Sequence, residues 1–553
     1  MGKKIVIDPK SRLYLGIGGS THDFSACLLK DGKIVSAIES ERISRVKHSL
    51  DMFSPINSSI KYLLPQRTKI NEISSSDILN IYNWYDYKDQ IKFYNHHLCH
   101  AASSFFTSPF KEAAVFVCDG LGSYNHTSKG YEYETYSYYS AKNRHINLIK
   151  KNVGFVNEQL DETHVHSIDV PNSLGLFYNT ITKLIGFGFL QDGKTMGLSA
   201  YGNSNKYYKQ IIEYFSFKPS GIINISFGEK EAKLFYEQNN RYKSSKTRLE
   251  FHANIAASSQ RILEECYFYC LNYLYKVAPN DNLCISGGVA LNSVANGKIT
   301  QNTPFKNIHI FPACGDAGIA IGSAYLSYYK ANRRRVLVKN QSPFLGKNYS
   351  KSAILSALRA KRVKHVETTN VYTKTSKLLT NGKIVAWFQG RSEIGPRALG
   401  HRSILVDPRK RWMKDYLNKK VKKREPFRPF APAILEEYVS EFFEKSRRSP
   451  YMQEVFTIKE PMQKFIPAVV HVDGTGRIQT VGPDNEKFYR LIKSFYKNTG
   501  VPVVLNTSFN VNSMPIVETP EDAIECFLQT KIDALVIGNF ICTKTNDNRK
   551  TNK

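Results

Sequence analysis

A chain of 553 residues is too long for a single hydrophobic core, so two or more domains are expected. Hydrophobic residues make up 42 %, no apolar run approaches a membrane span, and the opening MGKKIVIDPK lacks the apolar stretch of a signal peptide, so the chain reads as soluble and a cytoplasmic location is expected. Nine scattered cysteines without a C-x-x-C pair exclude a disulfide framework and a cysteine zinc site, and the net charge of +29, spread over short clusters such as KSSKTR and KKVKKREPFR, fits a solvated basic surface or an anionic ligand or nucleic acid.

In chain order, RLYLGIGGSTHDFSACLLKDGKIVSAIE alternates apolar stretches with GG and DG punctuation, which predicts strand, turn, strand, turn, strand. A second such unit begins at EAAVFVCDGLGSYNHTSKGYEYETYSYYSA, and the two predict a duplicated α/β lobe. Between them lies NHHLCHAASSFF, whose His96 and His100 fall one helical turn apart on one face. The pair alone reads either as two ligands for one cation or as cap or core histidines, because a divalent ion needs further donors. Asp119 ends the apolar strand AAVFVCDG and Asp316 sits in PACGDAG, both at strand-to-glycine-turn junctions. Two imidazoles and two carboxylates would suit ferrous iron, manganese or zinc. As turn-forming residues the two aspartates also have an ordinary structural reading.

Helical spacing runs from Ser173 to Leu190 and from Asn254 to Val277, and LCISGGVALNSVANGKI reads as strand, glycine turn and helix, a plan that IHIFPACGDAGIAIGSAYLSYY repeats. Gly120 and Gly122 in DGLGSY, with Gly287 and Gly288 in SGGVALN, expose backbone N–H groups at turns, which suits phosphate approach. GFLQDGKT, residues 188–195, matches the P-loop pattern in every fixed position. The preceding NTITKLIGF nevertheless reads as helix rather than strand, and the following MGLSAYG is a poor helix opener, so a P-loop NTPase is the weakest reading of the chain.

After Tyr329 the composition turns basic and polar, which places a domain boundary near Gln341 and divides the chain into 1–345 and 346–553. The second part reads as α/β, with strands at KIVAWFQG, SILVDP and VPVVLNTSF and a disordered tail at KTNDNRKTNK. It concentrates cations beside turns: Arg391, Arg397 and Arg402 in GRSEIGPRALGHRS, then Lys422, Arg424 and Arg428 in KKVKKREPFRPFAP. Arginine forks bind phosphoryl and carboxylate oxygens bidentately, and Arg477 in GTGRIQTV with Ser508 in LNTSFN could complete an oxyanion site. A solvated basic face is the alternative.

Taken in order, HHLCHAASSF, DGLGSY, MGLSAYG, SGGVALN, PACGDAGIAIGSA, GRSEIGPRALGHRSIL, KKREPFRPFAP and NTSFN resemble the O-carbamoyltransferase family that includes nodulation-factor, cephalosporin and tobramycin carbamoyltransferases. The resemblance runs from about Tyr14 to Ile541. It implies an actin-like, sugar-kinase-like N-terminal domain and a YrdC-like C-terminal domain. Metal ligands then fall on His96, His100, Asp119 and Asp316, with Fe2+ the implied ion. Nucleotide contacts fall on Gly120, Gly122, Gly287, Gly288 and Asn292. The carbamoyl phosphate and ATP site, with Mg2+, falls on Arg397, Lys422, Arg428, Arg477 and Ser508. The implied reaction makes carbamoyl-adenylate in the C-terminal domain and transfers the carbamoyl group to a small-molecule or saccharide hydroxyl in the N-terminal one. His22, beside Asp23, is the candidate general base, because an imidazole titrates near neutrality. Gly18–Thr21 stand where relatives often carry aromatic residues, and Asp192 where glutamate is common, which leaves the acceptor open. No membrane or nucleic-acid partner is expected, and an oligomer is not excluded. The competing readings are a tRNA-threonylcarbamoylating enzyme and a non-catalytic ATP-binding regulator.

Overall fold

The glycine-punctuated segment after Arg12 folds as three antiparallel strands, β1 (Leu13–Gly18), β2 (Ser25–Lys30) and β3 (Lys33–Glu39). The structure is a computed structural model and describes residues 5–20, 22–49, 55–64, 68–81, 88–157, 169–241 and 244–544. Strand β4 (Glu72–Ser76) adds in parallel to β1, and β5 (Ile91–Tyr94) adds in parallel to β4, giving the order β3-β2-β1-β4-β5. The second punctuated segment builds the same plan. Strands β6 (Glu112–Cys118), β7 (Gly130–Lys142) and β8 (His145–Val156) are antiparallel. Strands β9 (Asn282–Ser286) and β10 (Asn307–His309) then extend from β6 in parallel, giving β8-β7-β6-β9-β10. Two sheets with one strand order and one set of strand directions make the duplicated actin-like α/β domain.

Helix α1 (His96–Thr107) follows β5, and its start is set by Asn95, whose side chain accepts the Leu98 N–H. Every residue of α1 except Leu98 is buried, because the helix packs against β6, β9 and α5 (Ile319–Ala331), so it shows no polar stripe. A Cβ at Gly322 would lie 1.8 Å from the Cys99 carbonyl oxygen, so only glycine lets α5 cross α1 this closely.

Three local expectations need correction. The helix expected over 173–190 is α2 (Leu174–Leu184) and stops six residues early. The helix expected from Asn254 starts at Ser245, because Ser244 and Thr247 form a reciprocal cap within the cluster KSSKTR, making α4 Ser245–Val277 once α3 is counted. That α3 is Asp192–Ser199, so a helix does run through GKTMGLS despite its two glycines. Thr182 on α2 bonds both Asp192 and Thr195 and holds α3 in place. The P-loop reading still fails, since α2 and not a strand precedes the loop, and Lys194 lies over the Phe187 ring at 5.4 Å.

The chain divides into one unit of Met1–Ser44 with His48–Ser342 and another of Arg45–Lys47 with Pro343–Lys553, so the short segment Arg45–Lys47 groups with the later part of the sequence. The second unit is a mixed eight-stranded sheet built from β11 (His365–Glu367), β12 (Val385–Phe388), β13 (Arg402–Val406), β14 (Ala431–Leu435), β15 (Gln479–Val481), β16 (Val503–Ser508), β17 (Ala534–Ile537) and β18 (Phe540–Thr543). Its order is β11-β18-β17-β12-β13-β16-β14-β15. The expected tail beyond Lys544 lies outside the described residues. All nine cysteines are free thiols, and among the described residues no helix is long and apolar enough to cross a membrane.

Candidate active site

The first turn of α1 is fastened before it presents any ligand. The His96 N–H donates to Ser123 Oγ at 2.7 Å, and Ser123 donates in turn to Asp77 Oδ1 at 2.6 Å. From this anchored turn His96 and His100 project their Nε2 atoms to one side, with ring centroids 4.8 Å apart. Asp119, just after β6, and Asp316, in the helical turn Asp316–Gly318, face them. His96 Nε2 lies 3.4 Å from Asp119 Oδ2 and 3.6 Å from Asp316 Oδ1, while His100 Nε2 lies 2.8 Å and 3.4 Å from the same two atoms. Four residues spread over 221 positions, 96 to 316, thus place their donor atoms within 4.8 Å of one another.

Each carboxylate has one oxygen held by the protein and the other aimed at the imidazoles. Asp119 Oδ1 accepts the N–H groups of Gly120 and Gly288 at 2.8 and 2.9 Å, and Asp316 Oδ2 accepts the Ser20 hydroxyl. The remaining atoms, His96 Nε2, His100 Nε2 and Asp119 Oδ2, are buried and make no hydrogen bond. Buried polar atoms are normally satisfied, so their convergence calls for a cation. Divalent metals bind such donors at about 2.0–2.2 Å, which sets neighbouring donors about 3–3.5 Å apart, and the set fits.

The glycines behave differently from expectation. The N–H groups of Gly120 and Gly288 hold Asp119, that of Gly122 donates to the Glu134 carbonyl, and that of Gly287 to the Cys314 carbonyl. All four N–H groups are taken by protein oxygens in this structure. Gly287 instead has φ +92 and sits where a Cβ would strike the Cys118 carbonyl, and Gly122 makes room for the His97 ring. Asn292 is also committed, paired through its amide with Gln260 and capping Ala295. Whether an N–H is spoken for is decided by distant chain, which a glycine turn in a sequence does not disclose.

His97 faces away from the cluster toward Ser137 Oγ at 2.8 Å, and burial pushes its pKa down to about 4, so it stays neutral. His22 and Asp23 pair at 3.1 Å, and Asp23 also holds His48 Nδ1 at 2.9 Å, a partner that the sequence reading missed. Burial opposes charge on His22, but the Asp23 hydrogen bond and charge, followed by Asp316 and Asp119, push it up to about 9. With no cation on Asp119 and Asp316, these carboxylates and Asp23 favour the protonated ring over a neutral general base. Asp192 is held by Thr182 and Asn179, with its pKa raised by burial.

The quartet also sets a pH dependence. Burial opposes charge on His96 and His100, but Asp119 and Asp316 outweigh it, pushing His96 up to about 10 and raising His100, while the imidazoles hold both carboxylates below their usual range. A raised base stabilises the fold fully below its ordinary pKa of 6.5 and loses that contribution as pH climbs through the folded value. A lowered acid contributes fully above its ordinary 3.8 and loses it as pH falls. Metal-free protein should therefore melt highest between about pH 4 and 6.5 with respect to this cluster. Its melting temperature should fall toward pH 9, and added divalent metal should restore it there, as thermal scans with and without chelator would read.

In the second unit, the π-helical turn Asn418–Lys422 carries Lys422 into the end of β16. Lys422 Nζ donates to Ser508 O at 2.8 Å, Asn510 Oδ1 at 2.6 Å and Asn510 O at 3.0 Å, so Lys422 and Ser508 do meet. Lys422 is thus directed at protein oxygens and orders the Ser508–Asn510 turn, and burial, then the charge of Arg424, holds its pKa well below the usual lysine value. Arg391 and Arg402 are likewise spent on backbone carbonyls, Arg402 fully buried over the Phe388 ring. The others share one field. Burial first, then Arg397, Arg424 and Arg428, lower the pKa of Arg477, and burial with Arg428 pushes Arg424 down to about 9. Arg428 has Glu425 at 3.6 Å, whereas Arg477 Nε is buried without a hydrogen-bond partner. Such a cluster of guanidiniums fits a multiply charged anion.

The comparisons with known proteins follow the same division. Residues 67–325 match the family described as carbamoyltransferase N-terminus, and residues 376–544 match carbamoyltransferase C-terminus. The chain is 34% identical to the uncharacterized protein sll1178 of Synechocystis sp., over 96% of each chain. It is 31% identical to nodulation protein NolNO of Sinorhizobium fredii, covering 95% of this chain and 79% of that one. With nodulation protein NolO of Bradyrhizobium diazoefficiens it shares 36% identity, over 81% and 79% of the two chains.

Proposed function

The chain belongs to the carbamoyltransferase family, and from that premise we propose that it is an ATP-dependent O-carbamoyltransferase acting on a hydroxyl of a small-molecule or sugar acceptor. The observation that carries the reading is that the two matched halves hold sites of opposite character. Residues 67–325 contain the His96, His100, Asp119 and Asp316 cluster, and residues 376–544 contain the Arg397, Arg424, Arg428 and Arg477 cluster.

Carbamoyl phosphate is a dianion, and the arginine cluster supplies the counter-charge for its phosphate. Water releases phosphate to leave carbamate, whose oxygen attacks the α-phosphorus of ATP, breaking the bond to pyrophosphate and giving carbamoyl-adenylate. Guanidinium forks stabilise the charge that spreads over the transferring phosphoryl oxygens. Lys422 supports this from beneath by fixing Ser508.

In the other half the acceptor hydroxyl attacks the carbamoyl carbon, the bond from that carbon to the AMP phosphate oxygen breaks, and the hydroxyl proton passes to the departing phosphate. A divalent ion held by His96, His100, Asp119 and Asp316, Fe2+ by the family resemblance, would supply Lewis acidity toward a carbamoyl or phosphoryl oxygen. His22, held by Asp23 with His48 behind it, is suited to hydrogen-bond the departing phosphate. The proposal is tested by offering candidate polyols with ATP, Mg2+ and carbamoyl phosphate and measuring mass. A carbamoyl gain on one acceptor with stoichiometric AMP is expected. Threonine- and bicarbonate-dependent ATP consumption with tRNA as acceptor would replace the reading.

A further inference from the structure

The two carboxylates of the cluster are held by different means. Asp119 Oδ1 is fixed by two backbone N–H groups from turns of its own sheet, whereas Asp316 Oδ2 accepts one side-chain hydroxyl, that of Ser20, from 296 residues away. Ser20 lies in the turn after β1, is 6 % exposed, and its N–H donates to the His22 carbonyl at 3.3 Å. The backbone around Asp316 does not need it. Ser25 Oγ donates to the Ala317 carbonyl at 2.9 Å and ties the same turn to β2 independently. Among the described residues, it is Ser20 that fixes the rotation of the Asp316 carboxylate, leaving Oδ1 toward His96 and His100.

We propose that Ser20 is a positioning residue for the metal site, holding Asp316 as a one-oxygen ligand and coupling metal loading to the turn that carries His22 and Asp23. Asp23 itself is held in the left-handed region at φ +53, with its N–H donated to the His48 carbonyl at 2.8 Å. Partners that orient a ligand in this way typically govern affinity, and losing one costs about 10- to 100-fold. The inference rests on the metal reading of the quartet.

The experiment uses the full chain as wild type, Ser20→Ala, Ser20→Thr and His100→Ala. Each protein is stripped with chelator and titrated with Co2+ or Mn2+ against a chromophoric competitor, with hydrogen exchange read on peptides covering residues 18–24. Wild type should bind one equivalent that His100→Ala loses. Ser20→Ala should bind about 10- to 100-fold more weakly, and Ser20→Thr, which keeps the hydroxyl, should recover most of that loss. Metal should slow exchange in the 18–24 peptides of wild type but not of Ser20→Ala. No His100-dependent equivalent in wild type overturns the metal reading itself. A normal equivalent with unchanged affinity and exchange in Ser20→Ala overturns the role of Ser20 alone. Should alanine prevent folding, Ser20→Cys carries the test, since a thiol is a weak donor of similar size; affinity equal to wild type there counts against the proposal.

Discussion

Arg477→Met should lose pyrophosphate release from ATP and carbamoyl phosphate by about 100- to 1000-fold, the usual effect of removing a charge-stabilising donor, while the protein melts no lower than wild type. The second half of that expectation gives the first its force. Arg477 Nε is buried without an acceptor, and burial first, then the charges of Arg397, Arg424 and Arg428, lower its pKa. An unfolded chain binds that proton more tightly than the folded one, so a charged Arg477 works against folding throughout the range where guanidinium is protonated. A methionine of similar reach removes the repulsion and keeps the packing. A residue kept at a cost to stability is kept for its charge. Transfer from supplied carbamoyl-adenylate should survive in this variant. Arg428→Ala should act in the same direction, tempered by the Glu425 partner that Arg428 already has. Unchanged pyrophosphate release in Arg477→Met would remove the arginine cluster from the activating step.

What the sequence disclosed and what it hid follow a physical line. Alternation with glycine punctuation is local, so β1 to β3 and β6 to β7 were legible, and the spacing of His96 and His100 on one helical face is local as well. Asp119 was legible because a strand end beside a glycine turn is where a side chain reaches a cleft, whereas Asp316 lies not at a strand end but in the helical turn Asp316–Gly318 that follows β10. Contacts that depend on tertiary partners were not. The N–H groups of Gly120 and Gly288 look like phosphate donors until Asp119 is seen to accept both. Asn292 looks like a ligand contact until Gln260 pairs with it. Ser20 was noticed only within Gly18–Thr21, and its bond to Asp316 carries no local signal, since that partner lies 296 residues on. The helix at GKTMGLS defied its glycines because Thr182 holds Asp192 and Thr195. The start of α4 was readable after all: Ser244 and Thr247 cap it from within a stretch taken for a charge cluster.

His100→Ala reverses the pattern expected of Arg477→Met. Both His100 nitrogens lack hydrogen bonds, and of the two imidazoles its Nε2 is the nearer to Asp119 Oδ2, at 2.8 Å against 3.4 Å for His96, so no hydrogen bond of the ring competes with ligation. Its removal leaves one imidazole facing two buried carboxylates, which are less than a tenth exposed. Metal-free His100→Ala should therefore be destabilised, by about 3–5 kcal/mol if the pair behaves as other buried pairs broken on one side, and most visibly below pH 6.5, where wild type has its imidazolium. Pyrophosphate release should persist, because the arginine cluster is untouched. Transfer from supplied carbamoyl-adenylate should fall by about 1000-fold, which corresponds to some 4 kcal/mol of lost charge stabilisation. The two variants together separate activation from transfer: each should retain the half-reaction that the other loses. If His100→Ala keeps full transfer while binding no metal, the quartet is a structural ion cluster, and the acceptor chemistry must be sought at His22, Asp23 and His48.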